Sequence, residues 1–262
     1  MNDSRPLRQN DVWAALLKPD RTAWLKGGQS RCLMPPRTPA GKAFRIILLG
    51  APGTGLETQA EMLCERLGTC HLSTSDIFSA SLCCPENDLT PAMRNALDYL
   101  KRGESVPDET VLSLVGERLN CLHCSGGFLL DGFPRTVTQA KALEQLLESH
   151  ELKLAAVLNY DLPVEKIVAR LSGRRTCANC QAVFHLATRP PKQADICDYC
   201  EGKLFQRDDD RPEAVKLRTE HYQAAVRPLI EFYQQHGLLV TIDADGAPEK
   251  VYQRTRLSAL VG

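Results

Sequence analysis

An apolar strand, a glycine-rich turn and a helix follow one another near residue 50, and this order constrains the fold more than any other feature. The run Phe44–Gly50 is apolar and partly β-branched and stops at glycine, which predicts a buried strand. Residues 58–67 carry apolar side chains at helical spacing. Gly50 and Gly55 satisfy the spacing G-x-x-x-x-G, in which backbone N–H groups and the helix N-terminus can bind phosphate. The segment is therefore predicted to be a phosphate-binding loop (P-loop).

The rest of the chain alternates strand-like and helical patterns. Apolar strand-like runs lie at 128–130, 154–160 and 238–242, and helical patterns lie at 107–119, 137–147, 164–171, 212–236 and 249–260. This alternation predicts an α/β fold in which a parallel sheet is flanked by helices on both faces. Pro228 lies inside the pattern at 212–236 and is expected to kink or split that helix.

Two CxxC pairs give a strong metal signal. Cys177 and Cys180 precede Cys197 and Cys200 by sixteen intervening residues. Each pair offers two thiolates, and four thiolates complete a tetrahedral structural Zn²⁺ site without an open position for catalysis. The alternative is four unrelated free thiols. Residues 174–207 hold six basic and three acidic side chains, which is too small an excess to favour nucleic-acid binding by this module.

Charge and composition exclude several classes of partner. Lys+Arg and Asp+Glu both number 32, and this balance argues against broad binding to nucleic acid or to membrane surfaces. The sequence lacks an 18-residue apolar run, so a transmembrane helix is not expected. Eleven cysteines without a disulfide-framework spacing favour a reducing compartment, and a cytoplasmic monomer is expected.

Residues 1–43 differ from the rest. They contain eight basic and three acidic side chains, and prolines at 35, 36 and 39 are typical of a linker. A basic, flexible N-terminal tail is predicted, with a short helix considered at 12–17. Two alternatives remain open: a segment that docks on a protein partner through Trp13 and Trp24, and an organelle transit peptide.

A second motif follows the strand-like run at 128–130. The hexapeptide at 131–136 reads DGFPRT, with Gln139 three residues beyond it. A carboxylate at a strand end can hold Mg²⁺ through water, and a following arginine can bind phosphate with two hydrogen bonds. This hexapeptide resembles the signature of the adenylate kinases. Residues 44–262 are similar to the zinc-lidded bacterial type of that family through further blocks in the same order, at 71–76, 103–108, 170–175 and 206–218.

The resemblance implies a division of the chain and a reaction. The P-loop core would comprise 44–75, 104–172 and 208–262, a helical monophosphate-binding segment 76–103, and a zinc lid 173–207. The implied reaction is ATP + AMP = 2 ADP, with Mg²⁺ accompanying ATP and structural Zn²⁺ in the lid. ATP and AMP or ADP would be the partners.

The resemblance also implies roles for single residues. The implied ATP contacts are Gly50, Gly53, Gly55, Thr58 and Arg170, and the implied AMP contacts are Thr74, Val106, Gly132, Arg135 and Gln139. The arginines implied at the transferring phosphates are Arg135, Arg174, Arg207 and Arg218, with Asp131 organising Mg²⁺ and with Asp209 and Asp210 holding lid arginines.

Three positions depart from the family pattern. Leu56 stands where the family has the P-loop lysine, Glu57 replaces a glycine, and Ser79 replaces an arginine for the AMP phosphate. Loss of one such donor typically costs about 10²–10³ in rate, so reduced turnover is expected. Candidate replacements are Arg94, Lys101 or Arg102 for the arginine and Lys42 for the lysine. A nucleotide-binding pseudo-kinase and an enzyme for another monophosphate are the alternative functions.

Overall fold

The core is a five-stranded parallel sheet. The computed structural model describes residues 22–27, 43–83, 85–180 and 182–259. The strands are β1 (Phe44–Gly50), β2 (Cys70–Ser73), β3 (Gly127–Asp131), β4 (Ala156–Asp161), β5 (Arg174–Cys177), β6 (Val183–His185), β7 (Leu204–Phe205) and β8 (Leu239–Asp243). The core sheet has the order β2-β3-β1-β4-β8 with every neighbour parallel. The predicted α/β class is confirmed.

Both faces of the sheet are buried. Along β1, Ile47 and Leu49 enter one apolar cluster, whereas Ile46 and Leu48 enter a second cluster on the opposite face. Successive side chains of a strand point to opposite faces, so a strand covered on both sides is apolar throughout. β1 and β3 end at Gly50 and Asp131, which places the two sequence motifs at the same edge of the sheet.

Ten helices cover the sheet or connect its strands in the described part of the chain. They are α1 (Thr22–Lys26), α2 (Leu56–Leu67), α3 (Thr74–Cys83), α4 (Pro91–Lys101), α5 (Asp108–Gly116), α6 (Leu119–Leu122), α7 (Val137–Ser149), α8 (Val164–Ser172), α9 (Pro212–Gln235) and α10 (Pro248–Ala259). The predicted helix at 107–119 ends at Gly116, and the next side chain, Glu117, accepts hydrogen bonds from the Thr90 hydroxyl and the Ala92 backbone N–H at the start of α4. The predicted split at Pro228 is wrong, since α9 continues through it with Val226 and Leu229 buried on either side.

Part of the predicted tail belongs to the fold. Trp24 and Leu25 of α1 are fully buried in the core cluster, so the prediction of a flexible tail is wrong for residues 22–27. The apolar side chains of this short helix pack against the core, a contact that the sequence pattern did not predict. Trp13, Lys42 and the helix considered at 12–17 lie outside the described residues. Within the described residues, no helix combines the length and apolar character needed to cross a bilayer.

Candidate functional site

A cleft of about 680 Å³ lies where β1 and β3 end. This volume is in the range of small-molecule binding sites, and the carboxyl ends of parallel strands are their usual location. The glycines and polar residues that line it are Gly50, Gly53, Gly55, Glu57, Thr58, Ser75, Asp131, Gly132, Arg135, Arg170, Arg174 and Tyr222. The cleft therefore brings together the P-loop, the start of the DGFPRT motif and three arginines.

The P-loop has the backbone geometry that its glycines predict. Gly53 and Gly55 have φ of +96° and +87°, backbone angles that residues other than glycine rarely adopt. Gly55 directly precedes α2, so the partial positive charge of that helix N-terminus lies at the cleft. The loop can thus offer backbone N–H groups to a phosphate.

Leu56 and Glu57 change the chemistry of this loop. A Leu56 methyl carbon, Cδ1, lies 3.1 Å from where a Cβ on Gly50 would stand, so an apolar side chain covers the start of the loop. Glu57 is exposed in the first turn of α2 and lines the cleft. Its negative charge repels a bound phosphate and competes with it for the positive end of the helix. Among the described residues that line the cleft, all three cations are arginines.

Two of these arginines are held by backbone carbonyls. Arg170 donates hydrogen bonds to the carbonyl of Thr54 at 3.2 Å and to that of Ala244 at 3.0 Å. It therefore ties the P-loop to the segment between β8 and α10. Arg135 donates from Nε to the Gly132 carbonyl at 2.9 Å. Backbone carbonyls carry no net charge, so neither guanidinium is neutralised and both can still bind an anion.

The third arginine is fixed by a buried carboxylate. Arg174 on β5 makes two hydrogen bonds of 2.7 and 2.6 Å to Asp210, which is fully buried. Arg207 and Arg218 instead share Asp209 and do not line the cleft. Burial favours a higher pKa for Asp209, but Arg207 and then Arg218 outweigh it and lower that pKa. The expected pairing of Asp209 and Asp210 with lid arginines is confirmed, whereas convergence of all the arginines on phosphate stays a prediction.

Replacing Asp210 by asparagine is expected to destabilise the protein by about 3 kcal/mol, because it breaks two charge-assisted hydrogen bonds between a fully buried carboxylate and a partly exposed guanidinium. The apparent Tm should fall by roughly 6–12 °C for a chain of this size, measured by circular dichroism. Asp208→Asn is the matched control, since Asp208 pairs with Arg211 on the surface. Its effect should stay within about 0.5 kcal/mol. Equal shifts in the two variants would contradict the importance of the Arg174–Asp210 pair.

The residues implied for AMP fall into two groups. Gly132 and Arg135 line the cleft, whereas Thr74, Val106 and Gln139 do not. The side-chain amide of the buried Gln139 accepts a 2.7 Å hydrogen bond from the backbone N–H of Arg135. It donates a second one, also 2.7 Å, to the Asp108 carboxylate. Contact of the second group with adenine remains a prediction.

Thr74 nevertheless lies beside the cleft. Its hydroxyl donates to the Asp131 carbonyl at 3.4 Å, and a Cβ on Gly132 would come within 2.7 Å of that hydroxyl. Gly132 also has a φ of +73°. Glycine at 132 therefore allows the segment after β3 to approach the start of α3 closely.

The candidate replacements for the missing phosphate-binding arginine do not line the cleft. Ser79 is exposed on α3. Arg94 donates to the Leu89 carbonyl at 3.0 Å, and Arg102 pairs with Glu104 at 2.9 Å. Lys101 is exposed at the end of α4. Because Arg94, Lys101 and Arg102 all lie outside the cleft lining, none of them replaces the missing arginine there.

Sequence reasoning missed Tyr222. Its hydroxyl accepts the Gly50 N–H at 2.7 Å, which links α9 to the P-loop, and Ala225 and Val226 follow it along the cleft wall. Burial raises the pKa of Tyr222 to about 12, so the hydroxyl keeps its proton near neutral pH. An aromatic residue in a long helical pattern gives no signal of its own for such a contact.

The four predicted zinc ligands meet in the lid. β5, β6 and β7 form a small antiparallel sheet, and the sulfur atoms of Cys177, Cys180, Cys197 and Cys200 all lie within 4.8 Å of one another. Tetrahedral ligands with Zn–S bonds of about 2.3 Å would have sulfurs roughly 3.8 Å apart, so the cluster fits this metal. Burial raises the pKa of Cys177, but N–H groups of Cys180 and Asn179 outweigh it and lower that pKa. The Ala182 N–H lowers the pKa of Cys180, but burial and the other three thiols outweigh it and raise that pKa.

Comparison with known proteins agrees with this geometry. The sequence model of the family described as Adenylate kinase matches residues 48–238. A protein named Adenylate kinase from Caldicellulosiruptor saccharolyticus is 50% identical over 198 residues, covering 76% of this chain and 90% of the relative. One of the same name from Streptomyces avermitilis is 44% identical over 212 residues, covering 80% of this chain and 94% of the relative. The chain belongs to the adenylate kinase family.

Proposed function

We propose that this chain transfers a phosphoryl group reversibly between ATP and AMP to form two ADP, at a turnover reduced by Leu56, Glu57 and Ser79. Its relatives carry the name of enzymes for this reaction. The observation that carries the proposal is the cleft, where the P-loop, Asp131 and three arginines face one volume. Phosphoryl transfer depends on positioning and on cations that stabilise spread negative charge, and this set of groups can supply both.

Each part of the cleft has a separate task in this proposal. The P-loop N–H groups and the start of α2 would hold the phosphates of ATP. Arg135 would hold the phosphate of AMP, and Arg174 would stabilise charge on the transferring group from its fixed position against Asp210. Asp131 offers the carboxylate oxygen that Mg²⁺ prefers, and a bound Mg²⁺ would neutralise phosphate charge.

The second candidate function is a nucleotide-binding pseudo-kinase that acts as a sensor or partner protein. Leu56 at the start of the P-loop and Glu57 in the cleft favour it, because both remove positive potential from the phosphate site. The anion-binding backbone and the three arginines are present in either case. Binding without turnover is what this alternative predicts.

A coupled assay of ADP formation with ATP, AMP and Mg²⁺ tests the proposal. We expect saturable ADP formation with a kcat below the usual range of about 1–10³ s⁻¹. A kcat inside that range would contradict the reduced turnover. Micromolar binding of AMP and ADP by calorimetry, together with no ADP formation, would favour the pseudo-kinase.

The proposal includes structural Zn²⁺ in the lid and a cytoplasmic location. Four thiolate ligands require cysteines that stay reduced, which cytosolic conditions provide. A monomeric state and a protein partner for residues 1–43 complete the proposal, and size-exclusion chromatography with light scattering would test the first of these.

A further inference from the structure

The docked segment at residues 22–27 lies outside the region that matches the family. Trp24 is among the largest fully buried side chains of the protein. Its indole Nε1–H donates a 2.8 Å hydrogen bond to the carbonyl of Ser73, the last residue of β2. The helix α1 therefore contacts the chain one residue before Thr74, where α3 begins.

A buried arginine holds the other side of this segment. Arg118 donates from Nε to the Trp24 carbonyl, from Nη2 to the Leu25 carbonyl at 3.3 Å, and from Nη1 to the Leu114 carbonyl at 2.7 Å. Glu117 lies 3.4 Å from the guanidinium. Burial lowers the pKa of Arg118 to about 10. A charge buried this deeply is costly unless hydrogen-bonded, so the α1 carbonyls are part of what allows it there.

Gly27 completes the attachment. Its φ is +66°, and a Cβ at this position would stand 3.1 Å from the Arg118 guanidinium carbon. Its N–H bonds to the Ala23 carbonyl at 2.9 Å and so ends α1 where Arg118 approaches. Arg118 therefore lies against both Trp24 and Gly27, and its hydrogen bond to Trp24 spans 94 residues of sequence.

We propose that residues 22–27 act as an N-terminal clamp that positions the start of α3, with Trp24 as a positioning residue for the monophosphate site. The clamp holds the Ser73 carbonyl, and Thr74 next to it donates to the Asp131 carbonyl beside Gly132. This inference rests on the proposed function and on the AMP contacts of Thr74 and Gly132 that the family resemblance implies. A clamp at this place acts on AMP more than on ATP, because the P-loop is built from β1 and α2.

Trp24→Phe in the full chain tests the clamp, since phenylalanine keeps an aromatic ring in the core but removes the N–H donor. Without this donor the buried Ser73 carbonyl loses its bond, which typically corresponds to about a fivefold to tenfold effect. We expect hydrogen exchange of residues 74–83 in the nucleotide-free protein to quicken by about that factor. The Kd for AMP should rise by a similar factor, and the Kd for ATP should change less than about twofold.

Tyr233→Phe is the matched control. Tyr233 is fully buried in the same apolar cluster, but its hydroxyl has no hydrogen-bond partner among the described residues. Its loss should leave both exchange at 74–83 and the Kd for AMP unchanged.

Three results would overturn the inference or its basis, and they differ from one another. Unchanged exchange at 74–83 in Trp24→Phe would overturn the clamp. Quicker exchange with equal changes in the two Kd values would overturn positioning of the monophosphate. A wild-type chain that binds no AMP would overturn the proposed function, and the exchange measurement would still decide whether the clamp exists.

Discussion

The double variant Leu56→Lys/Glu57→Gly is expected to form ADP about 10²–10³ times faster than the wild-type chain. One preorganised charge-stabilising donor is typically worth this factor in kcat. The side chain at 56 covers the start of the P-loop beside Gly50, so a lysine there would place its ammonium at the phosphate site. The coupled ADP-formation assay at saturating ATP, AMP and Mg²⁺ measures the effect.

The second substitution contributes through the helix N-terminus. Glu57 lies in the first turn of α2 and lines the cleft, and removing its charge frees the positive end of the helix for phosphate. Glycine in a helix costs about 1 kcal/mol relative to alanine, so a small fall in thermal stability should accompany the faster reaction. A gain in rate despite a loss in stability separates repair of the site from general stabilisation.

Glu61→Lys provides the control for charge alone. Glu61 is exposed one turn further along α2 and does not line the cleft. Glu61→Lys raises the net charge by as much as the two substitutions of the double variant together, but we expect no rise in kcat. A similar rise in both variants would show that general electrostatics rather than the lysine position limits turnover. A wild-type kcat inside the usual enzyme range of about 1–10³ s⁻¹ would show that Leu56 and Glu57 do not limit it.

The sequence predicted the features that depend on local patterns. Buried parallel strands are apolar throughout, so 44–50, 128–130, 154–160 and 238–242 could each be placed near the observed strands. The carboxyl ends of such strands share one edge, which is why the P-loop and Asp131 meet as expected. The CxxC spacing likewise predicted the four-sulfur cluster, because ligand spacing is set by the metal's geometry.

The features that the sequence did not predict depend on contacts between distant residues. Arg174 lines the cleft while Arg207 does not, and the difference lies in which aspartate each one meets. Arg118 has the sequence context of an ordinary surface arginine, and the α1 carbonyls, 93 and 94 residues away, are among the acceptors that make its burial tolerable. Tyr222 reaches the P-loop across 172 residues of sequence. Helical periodicity carries no information about such pairings.

The lid is expected to depend on its metal. Purified without a chelator, the chain should contain one Zn²⁺ per molecule, and Cys197→Ala should contain none. The lid's own apolar core consists of Cys177, Phe184, Cys197 and Leu204, with little else packed against it. A module this small gains most of its folding free energy from the metal, for which binding contributes about 10–16 kcal/mol in zinc-finger peptides.

Loss of the metal should therefore unfold the lid while the five-stranded sheet stays intact. Hydrogen exchange across 176–204 should approach that of an unfolded chain in Cys197→Ala, with the core strands still protected. ADP formation should fall by about 10² or more, because Arg174 on β5 would lose its fixed position. The matched control is Cys121→Ala, which removes an equally buried thiol outside the cluster and should retain one Zn²⁺. Zinc retained by Cys197→Ala, or lost equally by Cys121→Ala, would mean that the four sulfurs do not form the binding site. Zinc lost with the lid still protected would mean that its four-residue core is enough to hold it folded.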